Sequence, residues 1–276
     1  MRYAIIKDLL ILAILAAGVF FVIHYWVGKQ EILPEKFSLS ISVEEEEEIG
    51  ALLVTNFKNG LDPLQNPTVD SALNIITQTL LAQLENSPYH YSFTVLDHDE
   101  INAFTLPGGN IFIFSGLIEN AGSAEEVASV LAHEIGHAEK RHVIDRLVKE
   151  LSLTVVTGIL SGGDPNLLVQ IIQTVIGTKF DREQEEEADL FGMRLLEKSK
   201  IDPKSLAKFF TRLNDQDLTF NPALEFLMTH PHNDKRIQKA TAYNVSPDFV
   251  PMPLPVDWDK TKNWRNSNEI EEEGED

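Results

Sequence analysis

Two histidines four residues apart, with a glutamate beside the first, could hold a metal ion and activate water. His133-Glu134-Ile135-Gly136-His137 reads H-E-x-x-H. On a helix, residues four apart lie on one face, so both imidazoles can reach one ion. Glu134 then stands where it can take a proton from water at that ion. Zinc suits the set best, because two nitrogens and one oxygen from elsewhere leave a fourth position open.

The helix is plausible from its neighbours. Ser123-Ala124-Glu125-Glu126 matches a capping box, with Ser123 as N-cap and Glu126 three residues on. Val127, Val130, Leu131, Ile135 and Ala138 follow as an apolar stripe at helical spacing, which the two histidines flank. A third ligand does not follow nearby. Lys140 and Val143 stand where a longer histidine motif would carry Gly and His, and His142 falls on the opposite face from His133. The acid-rich stretch 180–190 offers a carboxylate instead. Wound as a helix, its buried face is marked by Ala188, Phe191, Gly192, Leu195 and Leu196. Glu185 points into that sector and is the expected third ligand. Asp189, one turn on, is expected to accept a hydrogen bond from the outer nitrogen of a zinc histidine. Glu183, Glu186 and Glu187 read as a solvated face.

His133-Glu134-x-x-His137 followed by Glu185-x-x-Ala188-Asp189 resembles the gluzincin pattern of metallopeptidase family forty-eight. That family includes the CaaX-prenyl proteases, the HtpX-like heat-shock proteases and short envelope or mitochondrial quality-control proteases. The likeness runs from about Glu44 to Tyr243 and takes in Asn102-Ala103-Phe104, Pro107-Gly108-Gly109, Arg182 ahead of Glu185, and His230-Pro231. It implies a zinc endopeptidase with one Zn2+ on His133, His137 and Glu185, Glu134 as base, and Asp189 and Arg182 supporting the ligands. Among such proteases an edge strand beside the metal pairs with extended substrate, and Asn102, Ala103 and Phe104 are the candidates for it. Two roles stand open for His230, oxyanion stabilisation or occupation of the fourth zinc position. A structural histidine before proline is the bland alternative. The expected fold is α+β: a mostly helical zincin-type domain with a small antiparallel sheet beside the H-E-x-x-H helix, preceded by one transmembrane helix that the apolar N-terminal run below suggests.

Composition narrows the partners. The formal charge is −20, from 43 acids against 23 bases, which argues against nucleic acid as a partner. There is no cysteine, so a disulfide framework and a thiolate-bound zinc are excluded. The acids cluster at Glu44–Glu48, Glu183–Asp189 and Glu269–Asp276; the first and third are assigned no chemistry.

Along the chain, Leu9 to about Val27 is apolar and long enough to cross a bilayer. His24-Tyr25-Trp26-Val27-Gly28 makes a poor cleavage site, and Tyr25 and Trp26 suit a membrane interface. An uncleaved anchor is therefore expected over 1–28, with a cleaved signal as the alternative. A linker (29–42), a peptidase domain (43–245) and a Pro-rich arm with an acidic tail (246–276) would follow. Helices are expected over Val43–Phe57 and Pro67–Leu84. Strands are expected at Tyr91–Leu96, Ala103–Leu106 and Ile111–Phe114, the last two joined by a Gly-Gly turn. Leu151–Gly163 and Leu167–Phe180 read as a helical hairpin, either core or a lid over the cleft.

The expected location is a bacterial inner membrane with the catalytic domain in the periplasm or outside, the alternatives being a secreted or periplasmic protein after signal cleavage and, behind it, a mitochondrial inner membrane. Expected partners are unfolded or misassembled proteins. The rival function is a membrane-anchored chaperone or assembly factor that uses the same cleft and rarely cuts.

Overall fold

The computed structural model describes residues 41–58, 63–161, 165–177, 179–215, 230 and 234–265. The expected anchor, most of the linker and the acidic tail lie outside the described residues. Among the described residues no helix is long and apolar enough to cross a membrane.

The architecture is mostly helical around a three-stranded sheet. Helix α1 (Val43–Lys58) and α2 (Pro67–Leu81) precede β1 (Ser92–Leu96), β2 (Ala103–Leu106) and β3 (Asn110–Phe114). The short α3 (Ser115–Asn120) leads into α4 (Ala124–Glu139), which carries the H-E-x-x-H motif. Helices α5 (His142–Leu151), α6 (Leu153–Gly158) and α7 (Pro165–Gly177) follow, then α8 (Arg182–Lys198), α9 (Ser205–Asp215), α10 (Asp234–Thr241) and α11 (Trp258–Lys262).

The sheet is mixed, which corrects the expected antiparallel one. Its order is β1-β3-β2, with β2 antiparallel to β3 and β1 parallel to it. Alternation marks a strand but does not choose its neighbour. Here the Pro107-Gly108-Gly109 turn folds β3 back between the other two strands. Gly108 and Gly109 both take positive φ, and a side chain at 108 would collide with the Glu47 backbone of α1. The turn is thus tucked beneath α1, where only glycine fits.

Both faces of the sheet are buried. Val95, Ala103, Ile111 and Ile113 face a core shared by α2, α4, α8 and α9. Leu96, Phe104, Leu106, Phe112 and Phe114 face a second core built by α1, α5, α6 and α7. The α6–α7 pair belongs to that second core through Val156, Leu168, Ile171, Ile172 and Val175, while Leu153 and Val169 remain exposed.

Helices α4 and α8 make the closest helix contact. A Cβ on Gly136 would lie 2.9 Å from the Ala188 carbonyl oxygen, and one on Gly192 3.1 Å from the His133 backbone nitrogen. Small residues at the crossing let the two backbones touch, and this brings Glu185 within reach of both zinc-motif histidines. The arm after 245 lies along the start of α4. Leu254 N donates to Glu125, Trp258 Nε1 to the Ala121 carbonyl, and Trp264 is buried.

Candidate metal centre

Helix α4 starts where Ser123 accepts a hydrogen bond from Glu126 N. The Glu126 carboxylate bonds Gly122 N and Arg212, so the cap is close to the expected box, shifted by one residue. Every residue from Val127 to Ala138 is buried. His133 and His137 therefore lie deep in the molecule, each under 1 % exposed. Helix α8 is capped by Asp181 and Gln184, and its buried face presents Glu185, Ala188, Asp189, Gly192, Leu195 and Leu196.

Four side chains converge. His133 Nε2 and His137 Nε2 are 3.0 Å apart. Glu185 Oε2 lies 3.6 Å from His133 Nε2, and its Oε1 lies 3.5 Å from His137 Nε2. His230 Nδ1 completes the group, 3.3 Å from His133 Nε2 and 3.0 Å from Glu185 Oε1. All four donor atoms fall within 4.8 Å of one another. Zinc bonds of about 2.0–2.2 Å in tetrahedral geometry set ligand atoms about 3.3 Å apart, so the residues fit that ion. Ring nitrogens turned together in a buried site, with a carboxylate among them, are also the donor chemistry zinc takes.

The outer nitrogens are held as well. His133 Nδ1 lies 3.0 Å from Asp189 Oδ1. Asp189 in turn accepts two 2.7 Å bonds from Arg236, whose third nitrogen meets Glu185 Oε2. Burial would raise the Asp189 carboxyl, but Arg236 and His133 outweigh it and hold the group below its usual range. Burial likewise opposes Glu185, yet His230, His137 and Arg236 together keep it ionised well below the usual carboxylate range. His137 follows the opposite course: burial dominates and keeps its ring neutral.

Glu134 is fully buried beside this group, its Oε1 3.4 Å from His230 Nε2. Thr105 Oγ1, on β2, lies 2.8 Å from Glu134 Oε2 and 3.1 Å from the Glu134 carbonyl. Its single proton serves the nearer carboxylate.

Some expected residues fall elsewhere. Arg182 is exposed on the first turn of α8, and the guanidinium that meets Glu185 and Asp189 belongs to Arg236. No local pattern reveals Arg236, because its carboxylates lie some fifty residues earlier in the chain. Asn102, Ala103 and Phe104 are buried, and Phe104 stacks on Phe112 in the core away from α4. β2 is nonetheless the sheet's edge strand beside α4. His142, set on the far side of a continuous helix, instead contacts His137 Nδ1 at 3.0 Å. Helix α4 ends at Glu139, and Arg141 at φ 58° turns the chain back. Glu187, expected in solvent, pairs with His142 at 3.1 Å.

Residues 63–244 match the sequence profile of peptidase family M48. The beta-barrel assembly-enhancing protease of Yersinia pestis is 27 % identical over 227 residues, covering 76 % of this chain and 47 % of that protein. The protein of the same name from Escherichia coli K12 is 26 % identical, covering 77 % and 46 %. The mitochondrial metalloendopeptidase OMA1 of Arabidopsis thaliana is 33 % identical over 152 residues, covering 55 % of this chain and 31 % of that protein. The chain thus spans about half the length of the first two and less of the third.

Proposed function

Because the chain belongs to peptidase family M48, we propose that it is a zinc-dependent endopeptidase acting on extended segments of unfolded or misassembled proteins at a cell envelope. The observation that carries this reading is the buried group of His133, His137, Glu185 and His230, its donor atoms within 4.8 Å of one another, with Glu134 against it. Binding alone needs no general base; peptide hydrolysis does.

His133, His137 and Glu185 would hold zinc, which when bound polarises a carbonyl and lowers the pKa of water toward neutrality. Glu134 takes the proton from the attacking water and returns it to the leaving amine. Thr105 keeps the Glu134 carboxylate turned toward the site. Asp189, fixed by Arg236, orients His133. His230 occupies the fourth corner, which supports a resting arrangement: substrate gains access once His230 withdraws. Substrate would then pair with the outer edge of β2 near Asn102, Ala103 and Phe104. Main-chain pairing gives broad preference and demands an unfolded segment.

We assign residues 1–28 to an uncleaved anchor in a bacterial inner membrane and 43–245 to the peptidase domain outside the cytoplasm. The apolar run Leu9–Val27 supports the anchor, and the bacterial relatives, named for beta-barrel assembly, support a site at the cell envelope.

The test is cleavage of unfolded casein by the zinc-loaded chain and by His230→Ala. The expected result is fragments in both, more in His230→Ala, stopped by a zinc chelator and restored by added zinc. Stoichiometric zinc with intact casein in both proteins would favour an assembly factor that binds without cutting.

A further inference from the structure

His133 and His137 are the two motif ligands, yet their outer nitrogens meet different chemistry. That of His133 faces a carboxylate; that of His137 faces a second imidazole. We propose that His142, backed by Glu187, is a positioning residue for His137, aiming its Nε2 at the metal. The inference rests on the zinc reading above.

The direction of the relay follows from its outer end. Glu187 Oε2 is 3.1 Å from His142 Nε2. An ionised carboxylate only accepts, so His142 Nε2 carries the hydrogen. In a neutral imidazole the other nitrogen is then an acceptor, and His142 Nδ1 lies 3.0 Å from His137 Nδ1. His137 Nδ1 must therefore donate. This leaves the lone pair of His137 on Nε2, the atom 3.0 Å from His133 Nε2 and 3.5 Å from Glu185. Each bond settles the next, and the last one leaves a lone pair facing the metal site.

The surroundings keep the relay in place. His142 is 2 % exposed, and Phe180 stacks on His137 with ring centroids 3.8 Å apart. His142 opens α5 directly after Arg141, whose left-handed backbone is over-determined by bonds from its guanidinium to Glu46 and to the Ile41 carbonyl. The Glu187 side chain is 36 % exposed, so the charge sits at the rim while both rings stay buried.

The experiment is zinc affinity of the full chain, read by competition with a metal-sensitive chelator. Removing an outer partner of a zinc histidine typically weakens metal binding about 10- to 100-fold, and His142→Phe should fall in that range. His142→Asn, which returns an acceptor oxygen toward His137 Nδ1, should recover most of the affinity. Glu187→Ala, at the rim, should lose less than His142→Phe and leave the core intact. Nitrogen NMR of the zinc-loaded parent should show hydrogen on His142 Nε2 and on His137 Nδ1, whether or not His142→Phe folds. Affinity in His142→Phe within about twofold of the parent, well below the expected loss, would overturn the proposal. So would the reverse tautomers, or an Asn variant as weak as the Phe one. A parent that takes up no zinc would overturn the zinc reading itself.

Discussion

Two acid-rich helices look alike in the sequence and differ in what they bury. Helix α1 carries five consecutive glutamates, Glu44–Glu48, after Val43, and α8 carries Glu183, Glu185, Glu186, Glu187 and Asp189. Each run hides one glutamate almost completely: Glu46 in α1 and Glu185 in α8. Glu46 accepts bonds from Tyr89 Oη and Arg141 Nε and binds the chain on either side of the site. Burial raises its pKa despite these partners. Glu185, with His230, His137 and Arg236 around it, is held the other way. An ion pair whose partners do not outweigh the burial of its carboxylate is a structural clasp. A carboxylate kept charged among ring nitrogens is one arranged for a cation.

Removing Glu185 should have the largest effect on this contrast. Glu185→Ala is expected to lose bound zinc and all cleavage, checked by metal analysis and casein digestion, whereas Glu46→Ala should keep stoichiometric zinc. Arg236→Gln comes next, because it strands two buried carboxylates. The expected destabilisation is about 3–5 kcal/mol in urea unfolding. Its pH dependence has a definite sign. Asp189 is depressed below its ordinary value, so its stabilisation is present above about pH 4 and is lost as pH falls through the lower folded value. Arg236→Gln should flatten that acid limb.

Glu46→Ala leaves the Arg141 guanidinium without its carboxylate and should cost about 1–3 kcal/mol, read by the same unfolding. Thr105→Val removes one hydrogen bond to the base. It should lower kcat about tenfold with zinc content unchanged, and Thr105→Ser should restore it. Smallest of all, Glu183→Gln on the exposed face should shift stability by less than about 0.5 kcal/mol. A loss there as large as that of Glu46→Ala would dissolve the distinction between the two runs.

The comparison also shows what residue types can disclose. Glu185 was legible because Ala188, Gly192 and Leu196 mark the phase of α8: Glu185 points into that face, Asp189 lies at its edge, and the other acids point away. The same reasoning applies to α1, where Ile49 and Leu53 are fully buried and Glu46 lies one turn before Ile49. A block of five identical residues looks like a uniform solvated face, and its phase is carried only by the apolar residues that follow. His142 was not legible: a single left-handed residue, Arg141, reverses the expected side, and nothing in Lys140-Arg141 announces it. The order of the strands was hidden for a related reason. Alternation shows which side chains share a face, but it does not say that β1 runs parallel to β3 rather than antiparallel to a neighbour. Thr105 and Arg236 act across long separations that no local period records.

The central claim is that Glu134 is the base of a zinc peptidase, and one comparison tests it most directly. In a His230→Ala background, where the fourth corner is free, zinc content and casein cleavage are measured with Glu134 intact and with Glu134→Gln. The account predicts equal zinc in both proteins and cleavage only where Glu134 is present. Equal cleavage by the Gln protein would contradict it.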